Sequence, residues 1–162
     1  MNKLISIGEC LIDFTATSPG SIASVSGFDK NAGGAPANVA VCVARLGGQS
    51  SFISKLGNDG FGDFLIETLK NKGVDCSKII RDAFHHTPLA FVSLTESGER
   101  DFMFLRKHSS DLFLTPDEID ESMFINGDIL HFGSVDLVSE PVKSAHLTAI
   151  KYAIKNHLVE LF

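Results

Sequence analysis

Gly33-Gly34-Ala35-Pro36-Ala37-Asn38 is the stretch that most narrows what this chain can fold into. Two adjacent glycines open backbone conformations closed to other residues and let a small ligand come close to the main chain. Pro36 has no amide hydrogen to lose in a first helical turn, so the run reads as a turn delivering a helix. From Ala37 to Leu46 only Asn38 and Arg45 are polar, and Val39, Cys42, Val43 and Leu46 follow the spacing of a core-facing stripe. That predicts a largely buried helix with Asn38 as its odd residue. A buried amide without partners costs about 1–3 kcal/mol, so Asn38 should bond either a neighbouring loop or a polar ligand. The motif alone leaves both readings open.

The surrounding chain supplies strands for that helix to cross between. Leu4-Ile5-Ser6-Ile7-Gly8 reads as a buried central strand, with Glu9 and Asp13 just past its end. Ligands of open α/β sheets collect outside the carboxyl ends of the strands, which makes both acids candidates for contacting one. Gly47-Gly48 stops the helix, Ser51 to Leu56 reads as a second strand, and a second helix carries Phe61, Leu65 and Leu69 on one stripe before Gly73. Strand, helix, strand, helix argues for a parallel sheet with right-handed crossovers. Asp128 to Gly133 is a further strand, placing Gly133 and Ser134 at a site edge. Ser139-Glu140-Pro141 opens a helix with Val142, Ala145, Ala149 and Ala153 on its core face.

Two regions have a different texture. Residues 15–32 hold few large apolar side chains and read as loop and weak strands projecting from the body. Leu89 to Leu94 and Asp101 to Arg106 flank the turn-rich Thr95-Glu96-Ser97-Gly98-Glu99-Arg100 and read as a β-hairpin. Phe102, Phe104 and Arg106 share one face of its second arm, where an arginine is more often a rim or salt-bridge residue than a ligand contact. Thr115-Pro116-Asp117-Glu118 fits a capping box, so the acids Asp117, Glu118, Asp120 and Glu121 are better explained by capping than by a metal.

Several chemistries are excluded. With 162 residues, 44% of them hydrophobic, the chain suits one domain with a real core. A net charge of -6 without a Lys/Arg cluster argues against nucleic acid. Cys10, Cys42 and Cys76 form neither a disulfide framework nor a zinc motif and suit a reducing cytoplasm. Glu9 and Asp13 interrupt any signal-peptide core, and no apolar run reaches membrane-spanning length. There is no P-loop, no Gly-x-Gly-x-x-Gly and no Gly-x-Ser-x-Gly elbow. His85-His86 would point to opposite faces of a strand and reads as polar loop, and His108 and His131 read as structural. No metal site is expected.

Gly8-Glu9 with Asp13, then Gly33 to Asn38, then Arg45-Leu46-Gly47 and Gly57-Asn58-Asp59-Gly60-Phe61-Gly62, strongly resemble the N-terminal half of the PfkB, or ribokinase-like, carbohydrate kinases. Thr87-Pro88, Gly98-Glu99-Arg100, Phe104-Leu105-Arg106 and Ser110-Asp111 make the fructokinase branch the nearest match. The resemblance implies a three-layer α/β/α fold with a mostly parallel sheet and a small β-lid, built from segments near 15–32 and 87–107 of one domain part spanning 1–162. It further implies ATP- and Mg²⁺-dependent transfer of the γ-phosphoryl group to a sugar hydroxyl. The sugar would be held by Asp13 and Asn38, laid against Gly33 and Gly34, and covered by the lid's Phe104 and Arg106. Fructose is the favoured sugar, with 2-keto-3-deoxygluconate and ribose behind it.

The family's second half carries an Asp-Pro-Asn-x-Arg strand and a Gly-Ala-Gly-Asp motif, whose aspartate is the catalytic base and whose glycines cradle the transferring phosphate. Neither motif is present among these 162 residues. The chain is therefore expected to hold no catalytic residue and no nucleotide or metal by itself, and to end where the family would enter its next strand. Two alternatives stand beside a sugar-binding half: a non-catalytic module that dimerises through the lid, and a chain that leaves the strand near 129–132, or the edge beyond it, uncovered and aggregates.

Overall fold

The computed structural model describes residues 2–95, 98–125 and 128–161. In chain order the elements are β1 (Lys3–Ile7), β2 (Leu11–Ala16), β3 (Phe28–Gly33), α1 (Ala35–Arg45), β4 (Gln49–Gly57), α2 (Gly60–Asn71), β5 (Ile79–Asp82), β6 (Leu89–Leu94), β7 (Arg100–Leu105), β8 (Ile129–Phe132), α3 (Val142–Lys155) and β9 (Val159–Leu161). A five-stranded sheet runs β5-β4-β1-β8-β9 with every pairing parallel, and a four-stranded mixed sheet runs β3-β2-β6-β7.

Alternation along β1 builds the layers. Ile5 and Ile7 face α3 and meet Ile53, Leu130, Val142, Ala145, Ala149 and Ala153 in one core. On the other face Phe52 and Leu56 of β4 meet Ala37 and Ala40 of α1 and Leu65 and Leu69 of α2. Burying both faces is what an all-parallel sheet requires, and it gives the expected three-layer α/β/α sandwich. Ser6 and Ser50 bond the α1 carbonyls of Pro36 and Ala40 at 2.8 and 2.9 Å, which draws that helix down onto the sheet.

The small sheet is the lid. Its inner β2 also packs on the body, because Ile12 is fully buried in the α1/α2 core and Phe14 meets Phe61 of α2 edge-on at 5.7 Å. Glu96 and Ser97 of the hairpin turn lie outside the described residues, as does Phe162.

Three expectations need correction. Asp13 lies within a lid strand, since β2 begins at Leu11. The buried face of α1 is Pro36, Ala37 and Ala40, not the Val39/Cys42/Val43/Leu46 stripe; Cys42 is exposed, Leu46 is 82% exposed, and Asn38 is exposed as well. The capping box is present as expected, with Glu118 accepting the Thr115 amide while also pairing with Lys55, and it opens a single 3₁₀ turn, Pro116–Glu118. Lastly, the chain does enter a further strand: β9 pairs with β8, so it is the edge beyond 129–132, β9 with its three exposed residues, that is left uncovered.

Candidate functional site

The site gathers at the carboxyl end of β1. Gly8 follows β1 with φ of 149°, and a β-carbon there would meet Pro36 Cγ at 2.5 Å. The start of α1 is thus packed directly on the strand end. Gly34, the residue before α1, has φ of 109°, and a β-carbon there would strike the Glu9 carbonyl. Glu9 is buried, and its Oε1 accepts the Ala35 amide at 3.1 Å, closing the helix start with a carboxylate.

Asp13 sits beside this turn. Register pairs Leu11 with Gly33 and Asp13 with Asn31, and the Asp13 Oδ2 lies where a β-carbon on Gly33 would go. Burial holds the Asp13 carboxyl above its ordinary value, and among the described residues no hydrogen bond or ion pair ties it down. A half-buried carboxylate with unused acceptor capacity suits hydroxyl donors.

The lid adds to the same face. Asp13 pairs with Ala90 and Ala90 with Phe104, and directly paired residues point to one side of a sheet. Phe104 therefore stands in the Asp13 row two strands away, 59% exposed and stacked on Phe102 at 5.9 Å. Asn38 is one helical turn beyond Gly34, whose carbonyl accepts its amide at 2.9 Å. Its side chain points to solvent with no bond to a loop among the described residues, which removes the reading in which Asn38 ties the turn down.

Arg106 follows β7 and turns inward. Its Nε donates to Asp111 Oδ2 at 2.7 Å, and its Nη2 donates to Asp136 Oδ1. Asp111 and Asp136 are both 2% exposed, and Ser109 Oγ donates to the second Asp111 oxygen. Asp136 Oδ2 would lie 3.7 Å from a β-carbon on Gly8, so Arg106 is moored beside the same strand end. Burial pushes the Asp136 carboxyl up to about 7; Arg106 pulls against this, while Asp111 and Glu9 add to it. Arg106 is held above its usual value, because Asp111 and Asp136 outweigh the effect of its burial. The Cys10 thiol is pushed well up, first by burial and further by Cys76, Glu9, Asp111 and Asp13.

Phe104 and Arg106 line an open hollow of about 510 Å³ with Leu89 and Leu105, and Asp13 and Asn38 lie outside it. The structure thus brings Asp13, Gly33 and Gly34 into contact and sets Phe104 in their row. It joins Arg106 to them through Asp136 and Gly8, and leaves Asn38 on the solvent side. Asp136 has no sequence signal, being an acid in a loop 30 residues from Arg106; Asp111 was marked only by the Ser-Asp pair of the resemblance.

The three helix starts are each partly taken by a carboxylate. A phosphate would seek a helix N-terminus, yet Glu9 takes Ala35 N on α1, Asp59 takes Phe61 N and Gly62 N on α2, and Glu140 takes Ser144 N on α3. Among the described residues no three His, Cys, Asp or Glu side chains are grouped to hold a metal. His85 stacks on Phe113 at 3.6 Å and bonds Asp82, and His131 bonds Ser6, which accounts for both as structural.

Comparison with known proteins agrees with the fold. The model of the pfkB family of carbohydrate kinases matches residues 1–162. A fructokinase from Solanum tuberosum is 49% identical over 151 residues, 93% of this chain and 47% of that protein. Among solved structures, fructokinase from Xylella fastidiosa superposes with a TM-score of 0.89 at 35% identity, covering 98% of this chain and 49% of that one. An uncharacterized sugar kinase from Pyrococcus horikoshii in complex with ATP gives 0.88 at 38% identity, covering 96% and 51%. The chain spans about half the length of the relatives it matches.

Proposed function

The chain belongs to the pfkB family of carbohydrate kinases, and from that premise we propose that it supplies the sugar-binding half of a fructokinase-like enzyme that moves the γ-phosphoryl group of ATP to a sugar hydroxyl. The observation that carries this reading is the Asp13 carboxylate seated on Gly33, open to a ligand, at the start of α1. Asp13 and Asn38 accept and donate hydrogen bonds to sugar hydroxyls, each bond to the carboxylate contributing about 1.5–3 kcal/mol. Gly33 and Gly34 let the sugar ring approach the backbone, while Phe104 and Arg106 close over it from the lid. Several such bonds fix which hydroxyl faces the incoming phosphate.

In this reading Asp13, Gly33, Gly34, Asn38, Phe104 and Arg106 hold the sugar and supply neither the catalytic base nor the phosphate cradle, since the Asp-Pro-Asn-x-Arg and Gly-Ala-Gly-Asp motifs are not among these 162 residues. The three carboxylate-closed helix starts support that division. Fructose is the sugar and the cytoplasm the compartment, the latter supported by free thiols and by the finding that, among the described residues, no helix is long and apolar enough to cross a membrane. Calorimetric titration of the chain with fructose tests the reading: saturable heat at millimolar sugar is expected, and its absence would overturn it. Fructose phosphorylation by this chain alone at the rates of complete kinases would overturn the placement of the base.

A second reading has its own support. β7 is an edge strand whose Phe102, Met103, Phe104 and Leu105 are each at least 40% exposed, on both faces of the lid. Such an edge pairs readily with another copy, so a homodimer through the lid is the expected assembly.

A further inference from the structure

Arg106 has its side-on fork already filled. A guanidinium receives a carboxylate best through two parallel N–H donors, and Nε and Nη2 are both committed, to Asp111 and Asp136. Among the described residues Nη1 makes no hydrogen bond or ion pair. The charge around the fork points the same way: one guanidinium lies between two buried carboxylates, Glu9 adds a third that acts on Asp136, and Asp13 stands on the ligand side.

Behind the fork, among the described residues, no cation offsets this; in front of it Lys107 lines the hollow beside Arg106, with His86 and His108. His146 of α3 presents Nε2 to Asp136 Oδ2 at 3.9 Å, but its Nδ1 bonds the Val142 carbonyl at 2.9 Å and burial holds it below its ordinary value, which disfavours its charged form. The anion-friendly amide at the start of α1 is spent on Glu9. A ligand carboxylate arriving here would find one partial donor set and a surplus of negative charge, whereas a hydroxyl would meet neither penalty.

Resting on the sugar-site reading above, we propose that Asp111 and Asp136 make this site selective for an uncharged polyol over an anionic sugar acid, by filling and over-neutralising the guanidinium that would otherwise receive the acid's carboxylate. Asp136 is the specificity-determining residue that sets the balance, because Asp111 is additionally held by Ser109.

The test is paired calorimetric titration of the chain with fructose and with 2-keto-3-deoxygluconate, for the unmodified protein and for Asp136→Asn. The unmodified chain is expected to bind fructose about tenfold or more tightly than the acid, and Asp136→Asn to move that ratio about tenfold toward the acid. Asp111→Asn should move it the same way, and serves if Asp136→Asn does not fold. The unmodified chain supplies a further arm, since Asp136 takes up a proton between pH 8 and pH 6 while the sugar acid stays ionised; discrimination should fall at pH 6. Equal affinity for the two sugars, or a ratio unmoved by both the folded variants and pH, overturns the inference. Binding of neither sugar removes the sugar-site reading and this inference with it.

Discussion

The Asp13 carboxylate occupies the space that a side chain on residue 33 would need: its Oδ2 lies against the open face of Gly33. Two strands reach that arrangement together, because register sets Leu11 of β2 opposite Gly33 of β3. The glycine is needed for room and not for an unusual backbone angle. Gly34 is the reverse case, with φ of 109° and the Glu9 carbonyl behind it.

Gly33→Ala is therefore expected to displace Asp13 and to weaken fructose binding by tenfold or more, while costing about 1–3 kcal/mol of stability from overpacking. Gly34→Ala adds backbone strain to a clash with main-chain atoms that cannot swing away, so its cost in urea unfolding should be the larger of the two. Equal losses for both would contradict this account.

Asp59 closes α2 and ties it to the lid. It accepts from Phe61 N, Gly62 N, Thr87 N and Thr87 Oγ1, and although burial pushes its carboxyl up, those bonds hold it below its ordinary value. A lowered folded value contributes stability that is present above the unfolded value near pH 4 and is lost as pH falls through the folded one. Asp59→Ala should cost about 0.5–2 kcal/mol at pH 7. The gap between it and the unmodified chain should close in melts carried to lower pH.

Asp136 runs the other way. Its folded value is raised to about 7, so its contribution is full below the unfolded value near 4 and is lost as pH climbs through 7. His146, buried and held low, opposes that trend below about pH 6.5, which is why the unmodified chain alone is a poor gauge. Compared with Asp136→Asn, the unmodified chain should gain relative stability as pH falls from 8 to 6. A pH-independent difference in melting temperature would show that Asp136 does not titrate in this range.

How far the sequence revealed all this depends on where each signal had a phase. Ala145, Ala149 and Ala153 of α3 were legible because Lys143, Lys151 and Lys155 mark its outer face, although Leu147 and Ile154 are exposed there too. Helix α1 is apolar nearly all round, so its periodicity gave no direction, and the wrong face was read as buried. The deciding forces lie in other elements: Ser6 and Ser50 bond its carbonyls, and close approach then selects Ala37 and Ala40 over the bulkier valines. β2 was missed because Asp13 interrupts its apolar run, and β5 and β9 because short edge strands carry little pattern. Arg106 was legible as a salt-bridge residue, but not its partners, which come from loops 5 and 30 residues away.

The three thiols separate by the same corrected helix face. Cys42 is exposed, whereas Cys10 is fully buried and Cys76 is 8% exposed with its thiol pushed by burial to about 11. A thiol reagent at pH 8 should modify Cys42 promptly and leave the other two until the chain unfolds. Had the sequence stripe been right, Cys42 would be as slow as Cys10. Prompt modification of two or three cysteines in the folded protein would contradict the placement of α1.

The lid edge yields the last expectation. Phe102, Met103, Phe104 and Leu105 leave β7 apolar on both faces, and no charged residue interrupts those four positions. Charged edge residues are what normally keeps such a strand from pairing with another copy. The chain should therefore associate at tens of micromolar by light scattering. Met103→Lys places a charge in the middle of the edge, on the face away from the Asp13 row, because Met103 pairs with Phe91 and Phe91 stacks on Phe14. That substitution should return the chain to a monomer and leave fructose binding within about twofold, since it touches none of the sugar-facing residues. A monomer at high concentration without the substitution would remove the lid as an interface, while leaving the Asp13 site untouched.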